Sequence, residues 1–428
     1  MADKLRGNSL ARLLFLGSLA FAPFGLQAAP ASLGRIAVRT GTDGPEFSEV
    51  DSGKTFTPRG VNWVLLSGAD KRAVNTSFSD PAFTDALPAT MEMFRQLAEL
   101  GYNVVRIRPD SDAISLHDIH ARGLDARYVG NLVTFLDLAL RYGIRIELTG
   151  YWIPKNYYSV VPAHGWAAPQ AGVKGANQIL MDSNLAAEHG AYLADLLLDI
   201  KRRSPGSLSA IFALDLWNEL YFDSREKPFS ALGGQFKLEQ TGKVYDLGNA
   251  TARQQLADDA TAAWIGVVMK PIRAAAPGML LTSSVFSPAE VHRKGYTGVY
   301  LGDSANGDPR SPLRLKVLES TMLDFLEIHP YPHRFNPSID ADFDSMEWKE
   351  LKRTKPVLVG EFGAYREDFP SLPEALAGME SFLHQLRLKR VNGWIFWTWN
   401  TTYTGAVYPL WGLHDGGGYL ARGLASQK

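Results

Sequence analysis

The 428-residue sequence predicts a (β/α)8 barrel, in which eight parallel strands form an inner cylinder surrounded by helices. Eight nearly continuous apolar runs, typical of strands buried on both faces, alternate with amphipathic helical stretches. The Gly-rich turns expected after the first strand of an open doubly wound sheet, G-x-G-x-x-G or G-x-x-x-x-G-K-[S/T], are absent from the sequence. A closed barrel therefore fits the pattern better than an open sheet.

The elements follow one another in regular alternation along the chain. The predicted strands cover residues 57–64, 102–109, 144–151, 209–217, 279–286, 323–331, 356–363 and 391–399. The predicted helices cover residues 88–101, 129–143, 185–203, 251–277 and 372–389. Two of these helices end at a glycine, Gly101 and Gly143, that opens the next strand, as helix stop signals do.

Two N-terminal features precede the barrel. Residues 1–29 combine a positive start, "MADKLRGNSLAR", an apolar stretch and small residues before Pro30, which predicts a secretory signal peptide and a periplasmic or secreted protein. The segments "GRIAVRTG" and "KTFTPRG" alternate like a short β-hairpin, which is expected to cap the N-terminal end of the barrel. No linker-like segment follows, so residues 30–428 are predicted to form one domain.

Composition excludes several classes of partner and site. The 44 Lys plus Arg and 45 Asp plus Glu residues give a formal net charge of -1, which predicts no nucleic acid and no membrane as a partner after signal cleavage. With no Cys there are no disulfides and no thiolate metal site. The 10 Trp, 16 Tyr and 21 Phe residues exceed what the core demands, so some are expected at a binding surface. We expect a monomer.

Polar residues follow the apolar runs where the predicted strands end, and the C-terminal ends of barrel strands carry the chemistry of this fold. Glu219 and Glu361 end strands on roughly opposite arcs of the barrel mouth, so both can point into one cleft. The side chains expected at this mouth are Arg106, Asn218, Glu219, His329, Tyr331, Glu361 and Trp397.

Two carboxylates in an aromatic cleft indicate glycoside hydrolysis, in which one carboxyl protonates the leaving oxygen and the other acts on the opposite face of the sugar. Arg106 and Tyr331 can hydrogen-bond Glu361 and keep it anionic, whereas Glu219 lies in a different environment beside Asn218. The sequence contains no H-E-x-x-H pair and no G-x-S-x-G elbow, so neither a catalytic metal, a cofactor nor a serine nucleophile is expected.

An ordered set of strand-end motifs resembles clan A of the glycoside hydrolases, most closely glycoside hydrolase family 5, the cellulase family. The motifs span nearly all of the chain after the signal segment: "FTPRGVNW", "YNVVRIR", "LWNEL", "IHPYP", "PVLVGEFG", "GWIFWTWN" and "GLHDGGGY". Where the family commonly carries a histidine after its third strand, this chain has Tyr151 and Trp152. The departure affects recognition of the donor sugar rather than the two carboxylates.

The resemblance implies a role for each matching residue. Glu219 would be the general acid/base and Glu361 the nucleophile of a retaining enzyme. The implied substrate contacts are Asn218 at the hydroxyl beside the anomeric carbon, Arg106 and Tyr331 as orienting groups for the nucleophile, His329 at the donor sugar and Trp397 as its platform. Trp63 and Trp152 are further candidates for substrate binding.

The expected activity is therefore that of a retaining, endo-acting β-glycosidase on a β-linked glucan, mannan or exopolysaccharide. Two alternatives remain open from the sequence. A transglycosylase would use the same residues and a sugar acceptor in place of water, and a non-catalytic glycan-binding protein of exopolysaccharide export could share the scaffold.

Overall fold

A computed structural model describes residues 32–65, 75–116, 118, 120–158, 175–296, 307–331, 339–400 and 410–427. The predicted signal peptide lies outside these ranges. None of the helices within them is long and apolar enough to cross a bilayer.

The strands are numbered in chain order. They are β1 (Ile36–Gly41), β2 (Gly44–Glu49), β3 (Arg59–Asn62), β4 (Val104–Ile107), β5 (Arg145–Thr149), β6 (Ile211–Asp215), β7 (Tyr221–Asp223), β8 (Gln235–Lys237), β9 (Val244–Asp246), β10 (Leu280–Thr282), β11 (Ser284–Phe286), β12 (Arg310–Pro312), β13 (Leu326–His329), β14 (Val357–Val359) and β15 (Gly393–Phe396).

The predicted (β/α)8 barrel is confirmed. The main sheet is parallel, with the order β10-β6-β5-β4-β3-β15-β14-β13-β11. Its two terminal members, β10 and β11, are consecutive halves of one strand interrupted at Ser283, and they pair with β6 and β13 respectively. The sheet therefore closes on itself, and each of the eight predicted strands contains a barrel strand.

Helices surround the barrel. They are α1 (Ala82–Glu99), α2 (Ala126–Arg141), α3 (Lys155–Tyr158), α4 (Ala176–Met181), α5 (Ser183–Arg203), α6 (Pro205–Leu208), α7 (Ala250–Ala275), α8 (Leu315–Ser320), α9 (Ile339–Ser345), α10 (Leu372–Leu388) and α11 (Asp415–Ala425). All five predicted helices are present, as α1, α2, α5, α7 and α10. Side-chain caps fix several starts: Asp125 accepts a hydrogen bond from the Tyr128 amide at α2, and Asp182 does so for Leu185 at α5.

The predicted N-terminal hairpin is present, but one of its two strands was assigned wrongly. β1 pairs antiparallel with β2, so the second strand is "GPEFSE" rather than "KTFTPRG". The latter segment contributes an isolated bridge between Thr55 and Ser48. The short Glu-containing strand lacks a strong apolar alternation, and Phe47 is its one large buried side chain. Further along the chain, two small antiparallel pairs, β7 with β12 and β8 with β9, were not predicted.

The interior of the barrel changes from apolar to charged along its axis. At the N-terminal end, Val104, Ala213, Leu358 and Ile395 pack with Phe47 of the hairpin in one apolar cluster. Because alternate residues of a strand point to the same face, the next inward position of β4 after Val104 is Arg106. Arg106 lies in a buried polar layer with Asn62, Glu147, Asp215 and Glu327. This layer supports the site above it.

Candidate active site

Glu219 lies just beyond the end of β6, on a backbone held by hydrogen bonds. Its amide donates to Oγ of Ser284 at 3.1 Å, and that hydroxyl donates to Asp215 at 2.8 Å. The φ angle of Glu219 is 54°, in the left-handed region that non-glycine residues seldom occupy. Such a conformation costs about 1–3 kcal/mol and is often found at functional sites. The exposed fraction of the Glu219 side chain is 25%.

Glu361 follows β14 and is held by two donors. Nη1 of Arg106 donates to its Oε1 at 2.7 Å, and the phenol of Tyr331 donates to its Oε2 at 2.9 Å. Burial raises the pKa of Tyr331 well above its usual value, and the adjacent Glu361 adds to this effect, so the phenol remains a donor. Both expected partners of Glu361 are thus in contact with it.

The two carboxylates converge. One oxygen of Glu219, one oxygen of Glu361 and one ring nitrogen of His329 all lie within 4.8 Å of one another. The closure of the barrel brings strand ends that are far apart in sequence to a common mouth. Glu219 and Glu361 therefore face one space.

Arg106 organises the floor of this site. In addition to Glu361, its Nη2 contacts Asp215 at 2.9 Å and Oδ1 of Asn218 at 2.8 Å, and its Nη1 contacts Asn62 at 3.1 Å. Because Oδ1 of Asn218 accepts from Arg106, the amide NH2 of Asn218 is directed away from the guanidinium. That orientation leaves Asn218 as a donor beside Glu219.

His329 lies beside both carboxylates, and its expected contact with the donor sugar stays a prediction. It follows Glu327 by two positions on β13, points into the barrel and is fully buried. Its Nδ1 lies 2.9 Å from Glu219 and 3.8 Å from Glu361. Burial opposes protonation of the ring, but the carboxylates of Glu361, Glu219 and Glu327 outweigh burial and raise the pKa of His329 to about 9.

Protonated His329 also favours the ionised form of Glu219. Burial disfavours the Glu219 carboxylate, yet the hydrogen bond and charge of His329, helped by Arg310 and Arg108, hold its pKa below the ordinary value. The pair therefore holds one proton on the histidine side in the ligand-free protein. Both ring nitrogens of protonated His329 carry a hydrogen, so the ring offers no lone pair to a metal ion. Glu219, His329 and Glu361 therefore suit proton transfer better than metal binding.

The aromatic candidates divide into two groups. Trp397 lies just after β15 in a cluster with Val64, Tyr365 and Leu410, against which Tyr331 packs. Trp152 follows β5, packs edge-on against the buried Trp217 and stays partly exposed. Both are at the C-terminal end of the barrel.

Trp63, by contrast, is a core residue, and its assignment to substrate binding was wrong. Its exposed fraction is 4%, and its ring stacks on Phe135 of α2 with centroids 5.0 Å apart. It therefore points outward from β3 into the layer between barrel and helices. The alternation of side chains along the strand could have indicated this outward direction, because the neighbouring Asn62 points inward to Arg106.

Two ionisable residues at the site were missed by sequence reasoning. Glu290 lies in a 3₁₀ turn (Pro288–Val291) after β11, and its burial, together with the charges of Glu219, Asp342 and Glu361, raises its pKa well above the usual value. Arg310 of β12 is paired with Asp308 and lies over the rings of Tyr221 and Phe286. Glu290 does follow a predicted strand, which could have identified it, whereas Arg310 belongs to a connection without a pattern.

Several solved structures resemble this chain in fold. No protein-family model and no curated protein matches the sequence. The solved structures that it resembles include an exo-β-1,4-mannosidase from an Opitutaceae bacterium (strain TAV5), at 18% identity and a TM-score of 0.54, over 89% of this chain and 61% of that one. They also include a β-1,4-D-mannanase from Cryptopygus antarcticus, at 14% identity and a TM-score of 0.56, over 92% and 95% of the two chains.

A third similar structure is the β-mannanase of the blue mussel Mytilus edulis, at 16% identity and a TM-score of 0.50, over 92% of this chain and 96% of that one. The chain thus spans less than two thirds of the bacterial mannosidase but nearly all of the two mannanases. At these identities the likeness establishes the barrel fold, in agreement with the fold of the family that the motifs resemble.

Proposed function

We propose that this protein is a retaining β-glycosidase of glycoside hydrolase family 5 that hydrolyses a β-linked polysaccharide. The observation that carries the proposal is the convergence of Glu219 and Glu361, whose nearest oxygens lie within 4.8 Å of each other. Retaining enzymes place their two carboxyl groups about 5–5.5 Å apart, whereas inverting enzymes separate them by about 6.5–9.5 Å to admit a water molecule. The short separation supports double displacement.

In the first step, an oxygen of Glu361 attacks the anomeric carbon while Glu219 gives a proton to the departing glycosidic oxygen. The C–O bond to the leaving group breaks and an ester bond to Glu361 forms. Arg106 and Tyr331 hold the attacking carboxylate in one orientation, which reduces the reorganisation needed at the transition state. Asn218 offers its amide to the adjacent sugar hydroxyl.

In the second step, Glu219 accepts a proton from water as the water oxygen bonds to the anomeric carbon and the ester bond to Glu361 breaks. Two inversions at the same carbon give net retention. A sugar hydroxyl in the place of water would give transglycosylation through the same intermediate. Product analysis separates the two outcomes.

β-1,4-Mannan is the first substrate to test, since the three similar structures are those of a β-1,4-mannosidase and two β-mannanases. Endo action remains our expectation, with glucans and bacterial exopolysaccharides as the other substrates.

We also propose that residues 1–29 direct export and are removed. N-terminal sequencing of the protein from the producing cell tests that step.

The deciding experiment measures reducing-sugar release from mannan, glucomannan, β-glucans and exopolysaccharides by the purified protein. Glu361→Gln and Glu219→Gln are measured beside it, with Glu99→Gln, an exposed carboxylate on α1, as the matched control. We expect release from one polymer, a loss of about 10³-fold or more in both site variants, and no change in the control.

The anomer formed first, followed by proton NMR, should be the β-anomer. An α-product would exclude retention. Binding of a polymer without hydrolysis, unchanged by Glu361→Gln, would favour a glycan-binding protein.

A further inference from the structure

A chain of four side chains runs from the cleft into the barrel interior. Nδ1 of His329 lies 2.9 Å from Oε1 of Glu219, and Nε2 of the same ring lies 3.3 Å from Oε1 of Glu327. Glu147 is the next carboxyl group beyond Glu327, and it acts on Glu327 electrostatically. His329, Glu327 and Glu147 each have an exposed fraction of 0%.

The two interior carboxyl groups are too poorly compensated for both to be ionised. Nε of Arg106 lies 3.1 Å from Glu327 and 3.6 Å from Glu147, so a single cation faces both. Both oxygens of Glu147 and Oε2 of Glu327 lack a hydrogen-bond donor among the described residues. Burial and nearby carboxylates raise the pKa of each: Asp215 and Glu361 act on Glu147, and Glu147 and Asp215 act on Glu327. A proton shared between the two carboxyl groups supplies one donor among these oxygens and leaves the pair one negative charge.

We propose that Glu327 is a positioning residue for acid/base catalysis: it acts through His329, whose imidazolium it stabilises so that a proton is stored at Nδ1 for delivery through Glu219. This inference rests on the proposed function of Glu219. Glu147 supports the arrangement by carrying the shared proton. No sugar contact is required of either interior residue.

The proton balance of the reaction is complete within these groups. As substrate excludes water from Glu219, the Nδ1 proton of His329 moves to the Glu219 carboxylate, leaving a neutral imidazole whose Nε2–H is still donated to Glu327. Glu219 then gives that proton to the leaving oxygen while Glu361 bonds to the anomeric carbon. In the second step the water proton goes to Glu219 and returns to Nδ1 of His329.

The other charged groups around these four side chains are the same in the wild type and in the variants to be tested. His329 also faces Glu361 and Arg106, and Glu327 faces Asp215 in addition to Arg106. Glu219 faces Arg310 and Arg108, and Glu290 acts on it from the turn after β11. Because these groups stay in place when Glu327 or Glu147 becomes an amide, the two variants isolate the interior pair.

The test compares Glu327→Gln with Glu147→Gln, two substitutions of equal size, through the pH dependence of kcat/KM. In Glu327→Gln the remaining charge moves to Glu147, away from His329, so the alkaline limb should move to lower pH by about 1 unit or more. In Glu147→Gln, Glu327 carries the whole charge next to His329, so the limb should stay or move to higher pH. An unchanged limb in Glu327→Gln, or equal downward shifts in both variants, would overturn the proposal. A purely structural role would lower kcat and Tm without moving the limb.

Direct observation of His329 in the wild-type protein keeps this part of the test independent of the two glutamate variants and of any activity. Proton–nitrogen NMR of the ¹⁵N-histidine-labelled protein, assigned by loss of the signal in His329→Gln, reports its protonation. We expect both ring N–H groups at about pH 8, one unit below the raised pKa of about 9. A neutral ring at pH 7 would overturn the stored proton, whereas a charged ring in a protein that cleaves no glycan would instead refute the proposed hydrolase function.

Discussion

The phenol oxygen of Tyr331 lies 2.9 Å from Oε2 of Glu361, on the oxygen that Arg106 does not contact. Each oxygen of the carboxylate therefore has its own donor. Arg106 reaches the barrel floor and binds several acids, so its removal would disturb the fold as well as the site. Tyr331 allows the orientation of Glu361 to be tested more selectively.

Tyr331→Phe should lower kcat/KM by about 10- to 100-fold, the equivalent of losing one hydrogen bond to a charged group at about 1.5–3 kcal/mol. The barrel should remain stable, because the ring and its contact with Tyr365 are kept. Steady-state kinetics and urea unfolding measure the two effects, with the partly exposed Tyr419→Phe as the control. Equal activity of the variant and the wild type would remove Tyr331 from the orienting role.

Trp63→Leu should destabilise the protein without a specific effect on substrate binding. Loss of the ring stacked on Phe135 leaves a cavity in a tightly packed layer, for which we expect a fall in the free energy of unfolding of about 2–4 kcal/mol. KM should stay within about twofold of the wild type, since the substitution removes packing rather than a substrate contact. A raised KM with an unchanged free energy of unfolding would instead show that Trp63 contributes to substrate binding.

The eight barrel strands and five long helices could be predicted because periodicity and helix-end glycines are local signals. Contacts of Arg106 and Tyr331 with Glu361 could also be expected, since the ends of parallel strands meet at one mouth. The burial of His329 could not, because its partner Glu219 follows a strand far away in sequence and only barrel closure brings them together. Trp63 was misplaced because a strand-end aromatic can face either side, and a shift of one residue reverses the face.

His189 should make the protein less stable in acid. It is buried on α5, its Nε2 lies 2.7 Å from the Leu216 carbonyl, and burial lowers its pKa to about 4. The unfolded chain takes up a proton near pH 6.5 and the folded protein does not, so stability is complete at pH 7 and falls as the pH drops toward 4. The contribution is at most about 3 kcal/mol.

Urea unfolding at several pH values, for the wild type and His189→Gln, measures this loss. The variant lacks the titrating group, so its stability should fall less steeply between pH 6.5 and pH 4. Parallel curves would show that His189 does not titrate in this range. Substitution of the exposed His384, His384→Gln, provides the control. Its stability should fall with pH as steeply as that of the wild type.

Glu290 should be uncharged at neutral pH although it faces both catalytic candidates. Its burial and the nearby carboxylates of Glu219, Asp342 and Glu361 disfavour ionisation, and its Oε1 lacks a donor among the described residues. Glu290→Gln keeps the size and the neutral state, so the alkaline limb of kcat/KM should not move. Were Glu290 ionised, its replacement would remove a negative charge beside the proton held by Glu219 and His329, and the limb would shift to lower pH. The pH profile of this one variant therefore decides the charge of the third carboxyl group.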